Sequence, residues 1–325
     1  MDLTVRPMEE TDFQPCASLL KGRLAYTKSV IAELPRVWLR LLHDEAMNGA
    51  VFENRSSSGS SPVLLAFGVS VFVTDAWVAV AKSSSEPYLT ARTVRSELRG
   101  AKSPILRPTA LRRTSDAVLN VLILHYCEAP QLQPELYRLL RYRVMQSFLE
   151  THRGYRVKEV IQELWDEIDP AFLLNGWGKV RSDYASYFTD RGDPIPPPGR
   201  RPYLIGFTHE EALINPGDLI APVFTFTPAQ FPFSRTEKRL LRHALLGLTD
   251  PELAGGLGIA LPTVKSHWRA IYDRVARIVP ELLPEVHPAI EGSAIRGQEK
   301  RRRLLEYLRR HPEELCPGLD KRRSP

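Results

Sequence analysis

The chain of 325 residues carries 44 Lys and Arg against 38 Asp and Glu, a formal net charge of +6, with 43% hydrophobic and 25% charged residues. That balance excludes an intrinsically disordered chain, is long enough for two cores, and suits a polyanionic partner. Three scattered cysteines, Cys16, Cys127 and Cys316, argue against a disulfide framework or a structural zinc site; with acids near the start and no run of about 18 apolar residues, neither secretion nor membrane insertion is expected, and a reducing cytoplasm is the expected location.

In chain order, Leu3 to Arg6 alternates as a strand and Pro7 ends it; Thr11 offers a cap for a helix through Phe13, Leu19 and Leu20. A second helix is expected around Pro35 to Asn48, and the run RSSSGSSP from Arg55 to Pro62 reads as a surface loop. From Val63 to Ala81 the alternation of Phe67, Val69, Val71 and Val73 suggests a hairpin that turns near Thr74-Asp75-Ala76. A helix follows near Tyr88 to Leu98. Leu119 to Tyr126 (LNVLILHY) is a nearly unbroken apolar run suited to a central strand. The spacing then predicts a helix over Pro134 to His152 and a strand over Tyr155 to Trp165; strand, helix and strand in that order form a crossover unit of an α/β domain. Pro194 to Pro202 looks like a linker, Tyr203 to Phe207 and Leu219 to Thr227 read as further strands, and Pro228 to Pro232 reads as a short hinge.

The order of these elements loosely resembles the GNAT acyltransferase fold: VRPMEETDF looks like its opening strand and helix, and LNVLILHY, the helix from Pro134 and GYRVKEVIQEL look like its central strand, cofactor helix and following strand. The resemblance implies a glycine-rich turn at the start of that helix, where backbone N–H groups hold the coenzyme A pyrophosphate. Here the turn reads QLQPELYR, Gln131 to Arg138, with no glycine and with Pro134 lacking a donor, so a sensor or scaffold descended from an enzyme is the expectation for this domain.

Beyond the hinge, Ser234 and Glu237 have the spacing of a capping box, and Leu240, Leu241, Ala244, Leu245 and Leu248 follow as one apolar stripe that Gly247 closes. Thr249 and Glu252 repeat the start signal, with Pro251 in the first turn and Leu253, Ala254 and Leu257 facing inward, and Gly258 permits a tight turn. A third helix from about Pro262 keeps Val264, Trp268, Ile271, Val275 and Ile278 on its inner face and Lys265, Ser266 and Arg269 on its outer one. The segment resembles the LuxR-type (GerE-like) helix-turn-helix domain, on Glu237, Gly247-Leu248-Thr249, Glu252-Leu253-Ala254, Leu257, Ile259, Thr263-Val264-Lys265 and His267. What the resemblance implies is DNA binding, with Lys265, Ser266 and Arg269 facing bases and Thr263 and His267 near phosphate. Ala260, Gly255, Gly256 and Asp273 depart from the pattern. After Pro280 and Pro284, Gln298 to Arg310 is amphipathic, with Leu304, Leu305 and Leu308 on one side, and its arginines with Lys321, Arg322 and Arg323 would add phosphate contacts.

Among other residues, His125, Tyr126, Cys127 and Glu128 stand at the end of the apolar strand, where α/β domains place binding groups; a nucleophilic cysteine is weighed there against a buried structural one, and the latter is expected. Tyr184 and Tyr187 are candidate general acids, Gly176-Trp177-Gly178 a turn, and Trp38, Trp77 and Trp165 core residues. The fold class expected is therefore an α/β, GNAT-like N-terminal domain with a mixed sheet (1–229), an all-α helix-turn-helix domain (230–285) and a basic helix and tail (286–325). The function expected is a non-enzymatic, cytoplasmic transcription regulator that binds double-stranded DNA as a homodimer, with RNA polymerase and a small-molecule effector as further partners, no membrane association, and no catalytic residue, cofactor or metal. The alternative is an N-acyltransferase that uses acetyl-CoA and carries the helix-turn-helix as an accessory domain.

Overall fold

A computed structural model describes residues 2–21, 26–55, 62–100, 103–107, 118–164, 178–197, 201–283 and 293–316. Residues 56–61 of the serine-rich run, Trp165, Gly176, Trp177, residues 198–200 and residues 321–323 lie outside the described ones. The chain divides into two compact units, Met1–Phe226 and Thr227–Pro325.

The first unit is built on a seven-stranded sheet in the order β1-β2-β3-β4-β5-β7-β6. Strands β1 (Asp2–Pro7), β2 (Asn48–Arg55), β3 (Val63–Val73) and β4 (Leu119–Glu128) are antiparallel neighbours, β5 (Val157–Leu164) runs parallel to β4, and β7 (Tyr203–Thr208) pairs antiparallel with both β5 and β6 (Lys179–Ser182). The one parallel pair follows from the long helix between its strands, since a parallel return needs a crossover. Among the described residues, α1 (Phe13–Leu19), α2 (Lys28–His43), α3 (Asp75–Ser83) and α4 (Leu89–Leu98) are packed around the larger core. Leu34, Val37, Trp38 and Leu41 of α2 meet Phe67, Val69, Val71 and Leu122 of the sheet there. Against the other face lies α5 (Pro134–His152), whose Leu136 and Leu140, one turn apart, pack on Leu3, Phe52 and Ala66. Short helices α6 (Ala185–Thr189) and α7 (His209–Ile214) belong to the same unit.

Several expectations are corrected. The alternation that suggested a hairpin over Val63 to Ala81 ends at Val73; Thr74 then caps a helix, its hydroxyl accepting from Trp77 N–H at 3.3 Å. α2 starts at Lys28, because Thr27 caps it by accepting from Val30 N–H, and Pro35 lies inside it. The first helical turn is opened by Glu9 and Asp12, not Thr11: the Asp12 carboxylate accepts the Glu9 N–H at 2.8 Å. The expected strand from Leu219 is a 3-10 turn over Ala221–Phe224, where Pro222 has no donor for a ladder.

The second unit is helical where it is described: α8 (Arg235–Leu245), α9 (Asp250–Leu257), α10 (Leu261–Ile278) and α11 (Ser293–Arg310). Both capping boxes form, Ser234 N–H donating to Glu237 at 2.7 Å and Thr249 N–H to Glu252 at 2.7 Å, and Gly247 and Gly258 take the left-handed conformation that ends each helix. Its core joins Leu240, Leu241, Leu253, Val264, Trp268, Ile271 and Val275 to Leu304, Leu305, Leu308 and Leu315, so the basic C-terminal helix shares the core of the three helices before it. Ile278 is exposed, in contrast to its inward assignment. Glu314, fully buried, accepts the Gln230 and Phe231 N–H groups at 2.9 Å each and ties the end of the unit to its beginning.

Candidate functional site

Two apolar strands placed side by side in parallel would be expected to pair along their length. They do not. Leu119 to Ile123 of β4 pairs with Val157 to Gln162 of β5, and there the ladder stops; β4 runs on to Glu128 against β3 alone, while Glu163 and Leu164 of β5 pair with β7. At the same level the β3–β4 register slips: Val69 faces His125 but Ser70 faces Ile123, which makes Leu124 an extra residue, a β-bulge. The strands therefore part, and the backbone edge of β4 beyond Ile123 is left without its β5 ladder.

A cavity of about 350 Å³ lies at this parting. It is within the roughly 300–1,000 Å³ range of small-molecule pockets. Its walls come from the ends of β4 and β5, from β2 and β3, and from α5, whose Tyr137, Arg141, Phe148 and His152 line it. On the α5 side, the Tyr126 hydroxyl hydrogen-bonds to Glu128, and Arg141 Nε lies 3.7 Å from the same carboxylate. Burial pushes the Tyr126 hydroxyl well above its ordinary range, so it stays protonated and is the donor. Also on this side Ser70 Oγ is 3.0 Å from His152 Nε2, and His152 Nδ1 is 2.7 Å from the Phe148 carbonyl.

The opposite side is aromatic. Leu122, Leu124 and Cys127 belong to the core with α1 and α2, and His125 meets Trp38 and Tyr26 of that same core with ring centroids 5.4 and 5.6 Å apart. The bulge thus turns two consecutive residues, Leu124 and His125, to one face. Trp38 Nε1 donates to His125 Nδ1 at 3.4 Å; an indole can only donate, so the His125 proton sits on Nε2, which is buried without a partner. Burial lowers this imidazole to about 3. Cys127, 2% exposed with Sγ 3.2 Å from the Leu19 carbonyl, is a buried thiol, and burial pushes its neighbour Cys16 up to about 12. Glu163 closes the far wall. Its carboxylate accepts from Tyr88, Leu89 and Thr90 N–H at 2.6, 3.1 and 3.3 Å and from the Thr90 hydroxyl, capping α4, whose N-cap Tyr88 is held at φ 72°. Burial raises the Glu163 carboxyl, and those donors draw it back.

Of the sequence candidates, His125, Tyr126, Cys127 and Glu128 all line the cavity, whereas Tyr184 and Tyr187 do not. Tyr184 is 1% exposed within the core, and Tyr187 lies under Arg191 at 3.7 Å. Trp38 is core and Trp77 only partly buried. Ser70, His152 and Glu163 escaped sequence reasoning. Ser70 is a lone hydroxyl in AFGVSVFV, which is the only signal it leaves. On α10, Thr263, Lys265, Ser266 and Arg269 are exposed and His267 is half-buried, on the face away from Val264 and Trp268. Ala260, the N-cap of that helix, makes no side-chain cap, and Asp273 is exposed on it. The basic helix α11 is largely neutralised: Arg301 is bound to Asp250 and the Leu248 carbonyl, Arg302 and Arg303 to Glu299, and Arg310 to Glu306.

Among the described residues no group of three or more His, Cys, Asp or Glu is placed to hold a metal, and no helix is long and apolar enough to cross a membrane. The start of α5 lacks the phosphate turn: Gln131 takes a left-handed φ of 61°, Gln133 makes no side-chain cap, and Pro134 opens the helix.

No protein-family model matches the chain and no curated protein matches it. Among solved structures the chain is similar to the C-terminal condensation domain of Ebony in complex with beta-alanyl-dopamine (10% identity, 64% of this chain and 99% of that one, TM-score 0.37). It is similar also to mutant forms of the spermidine/spermine N-acetyltransferase SpeG from Vibrio cholerae (11% identity, 66% and 98%, TM-score 0.36) and to Arabidopsis thaliana NAA60 with a bisubstrate analogue (12%, 64% and 98%, TM-score 0.35). At such scores the fold assignment rests on the strand order, the single parallel pair and its parting. The expectation of a non-enzymatic LuxR-type transcription regulator is corrected: no family model of that kind matches the chain, and the α11 arginines expected to add phosphate contacts are paired with carboxylates of their own unit. Double-stranded DNA, RNA polymerase, the DNA-bound homodimer and the effector go with that correction. The N-terminal unit has a mixed α/β fold, a seven-stranded mixed sheet with helices, in keeping with the element order by which the sequence resembles the GNAT fold.

Proposed function

We propose that the chain is an N-acyltransferase whose N-terminal unit takes an acyl group from acetyl-CoA and passes it to an amine, with the C-terminal helices as an accessory helix-turn-helix module. The observation that carries the reading is the parting of β4 from β5 at Ile123 and Gln162 together with the bulge at Leu124. Parallel strands that separate open a cleft at sheet level between two strand ends that no longer share a ladder, and a cleft of that kind suits an extended chain of amides, the chemistry of a pantetheine arm. Coenzyme A supplies the acyl group as an activated thioester. The cavity and the end of β4 beyond its β5 ladder fit that arm; the start of α5 does not fit its diphosphate, because Pro134 has no N–H and no glycine permits close approach. Tyr26 and His125, backed by the core residue Trp38, line the cavity on the other face of the sheet, the side this reading gives to the amine.

Calorimetric titration of the full chain with acetyl-CoA, followed by acetyl transfer to a panel of primary amines, tests the reading. Binding in the micromolar range that is lost when Gly68, beside Tyr126 in the wall, is replaced by Val is the expected result. Absence of both binding and transfer at millimolar acetyl-CoA would overturn it.

A further inference from the structure

Resting on that acyltransferase reading, we infer that Ser70 and His152 form a nucleophile–base pair and that transfer proceeds through an acyl group carried on Ser70. The two residues come from β3 and the end of α5, both line the cavity, and they are 6% and 1% exposed. Ser70 is paired with Ile123, the residue at which β4 loses β5, so its backbone lies one strand spacing, ~4.8 Å, from β4 at the level of the parting.

The protonation states follow from the partners. A carbonyl only accepts, so His152 Nδ1, 2.7 Å from the Phe148 carbonyl, carries the ring proton. Burial holds this imidazole down to about 4, so the ring is neutral near pH 7 and Nε2 is a bare lone pair. The Ser70 hydroxyl, 3.0 Å away, must then be the donor. Hydroxyl, basic nitrogen and a third group that fixes the tautomer are the parts that activate a serine. Here a backbone carbonyl takes the orienting place.

In the first half-reaction Ser70 Oγ attacks the thioester carbonyl carbon. A C–O bond forms and the C–S bond breaks, and the Ser70 proton passes through His152 Nε2 to the leaving thiolate. In the second, the amine nitrogen attacks the Ser70 ester, a C–N bond forms, the C–O bond breaks, and His152 returns a proton from the amine to Ser70 Oγ. No oxidant, reductant or further reactant is needed.

The test is to incubate the full chain with acetyl-CoA without amine, quench in acid and map peptides by mass. One acetyl group on the peptide bearing Ser70 is expected, absent in Ser70→Ala and formed roughly 10²- to 10⁴-fold more slowly in His152→Gln. p-Nitrophenyl acetate should label the same serine with a burst equal to the protein concentration. If Ser70→Ala does not fold, Ser70→Cys should carry the acetyl group as a thioester that neutral hydroxylamine removes. Acetyl-CoA binding and transfer at full rate in Ser70→Ala, with no adduct on the parent chain, would overturn the pair and leave the acyltransferase standing. No acetyl-CoA binding would overturn the acyltransferase instead; labelling by p-nitrophenyl acetate then supports the pair and its absence overturns it.

Discussion

Trp38 and His125 stand 87 residues apart in sequence, and the indole Nε1 donates to the imidazole Nδ1 at 3.4 Å beneath the bulge at Leu124. The pairing fixes the tautomer of a histidine that burial keeps neutral, and it has a consequence for stability.

His125 and His152 are held down to about 3 and about 4, below the ordinary value near 6.5. Between those limits the unfolded chain binds protons that the folded chain does not. Their contribution is therefore complete above about pH 6.5 and is lost as the pH falls, on the order of 2 kcal/mol per histidine by pH 5. Urea unfolding at pH 7 and pH 5 should show this loss, and His125→Phe, which cannot titrate, should lose less. An equal loss in both proteins would refute the assignment.

Glu163 holds the start of α4 by three N–H groups and a hydroxyl. Glu163→Gln replaces one acceptor oxygen by a donor and should cost about 1.5–3 kcal/mol, the range of a hydrogen bond to a charged group. Denaturant unfolding measures it, with hydrogen exchange expected to rise first at Leu89 and Thr90. A neutral substitution would show that the carboxylate is not the cap.

Arg6 forks between Asp12 and Glu53, with contacts of 2.6 to 2.7 Å from its terminal nitrogens. These carboxylates raise the guanidinium further, Asp12 most. Arg6→Met leaves the carboxylates of Asp12, in the turn after β1, and Glu53, on β2, without their shared cation; with the arginine 21% exposed, the cost should be roughly 2–3 kcal/mol, short of the 3–5 of a fully buried pair. Arg6→Lys should recover only part of it, since one ammonium cannot span both partners. Full recovery by lysine would argue against the bidentate geometry.

The second unit leaves stability unused. A Cβ added at Gly255 or Gly256 meets nothing within 4 Å, and Ala260 at the N-cap of α10 has extended backbone but no capping oxygen. Gly255→Ala, Gly256→Ala and Ala260→Ser should each add about 1 kcal/mol. Thermal unfolding of the full chain should show the transition of this unit move upward; a fall for either alanine would mean that the glycine is needed for something other than the helix.

What the sequence determined by itself was local. Capping boxes at Ser234 and Thr249 set their helices, because four residues suffice to satisfy the orphan N–H groups. The apolar run at Leu119 placed the central strand, and α5 was legible at both ends from Pro134 and from its apolar spacing. The same local view misled at Val63 to Ala81, where apolar alternation cannot tell a returning strand from a capped helix, and in the function, where a helix-turn-helix pattern was read as DNA binding. Only the tertiary structure decided the site. Whether β4 keeps or loses β5, where the bulge falls, and that Ser70 meets His152 or Trp38 meets His125, depend on pairings between residues 38 to 87 positions apart, and no periodicity within either segment encodes its partner.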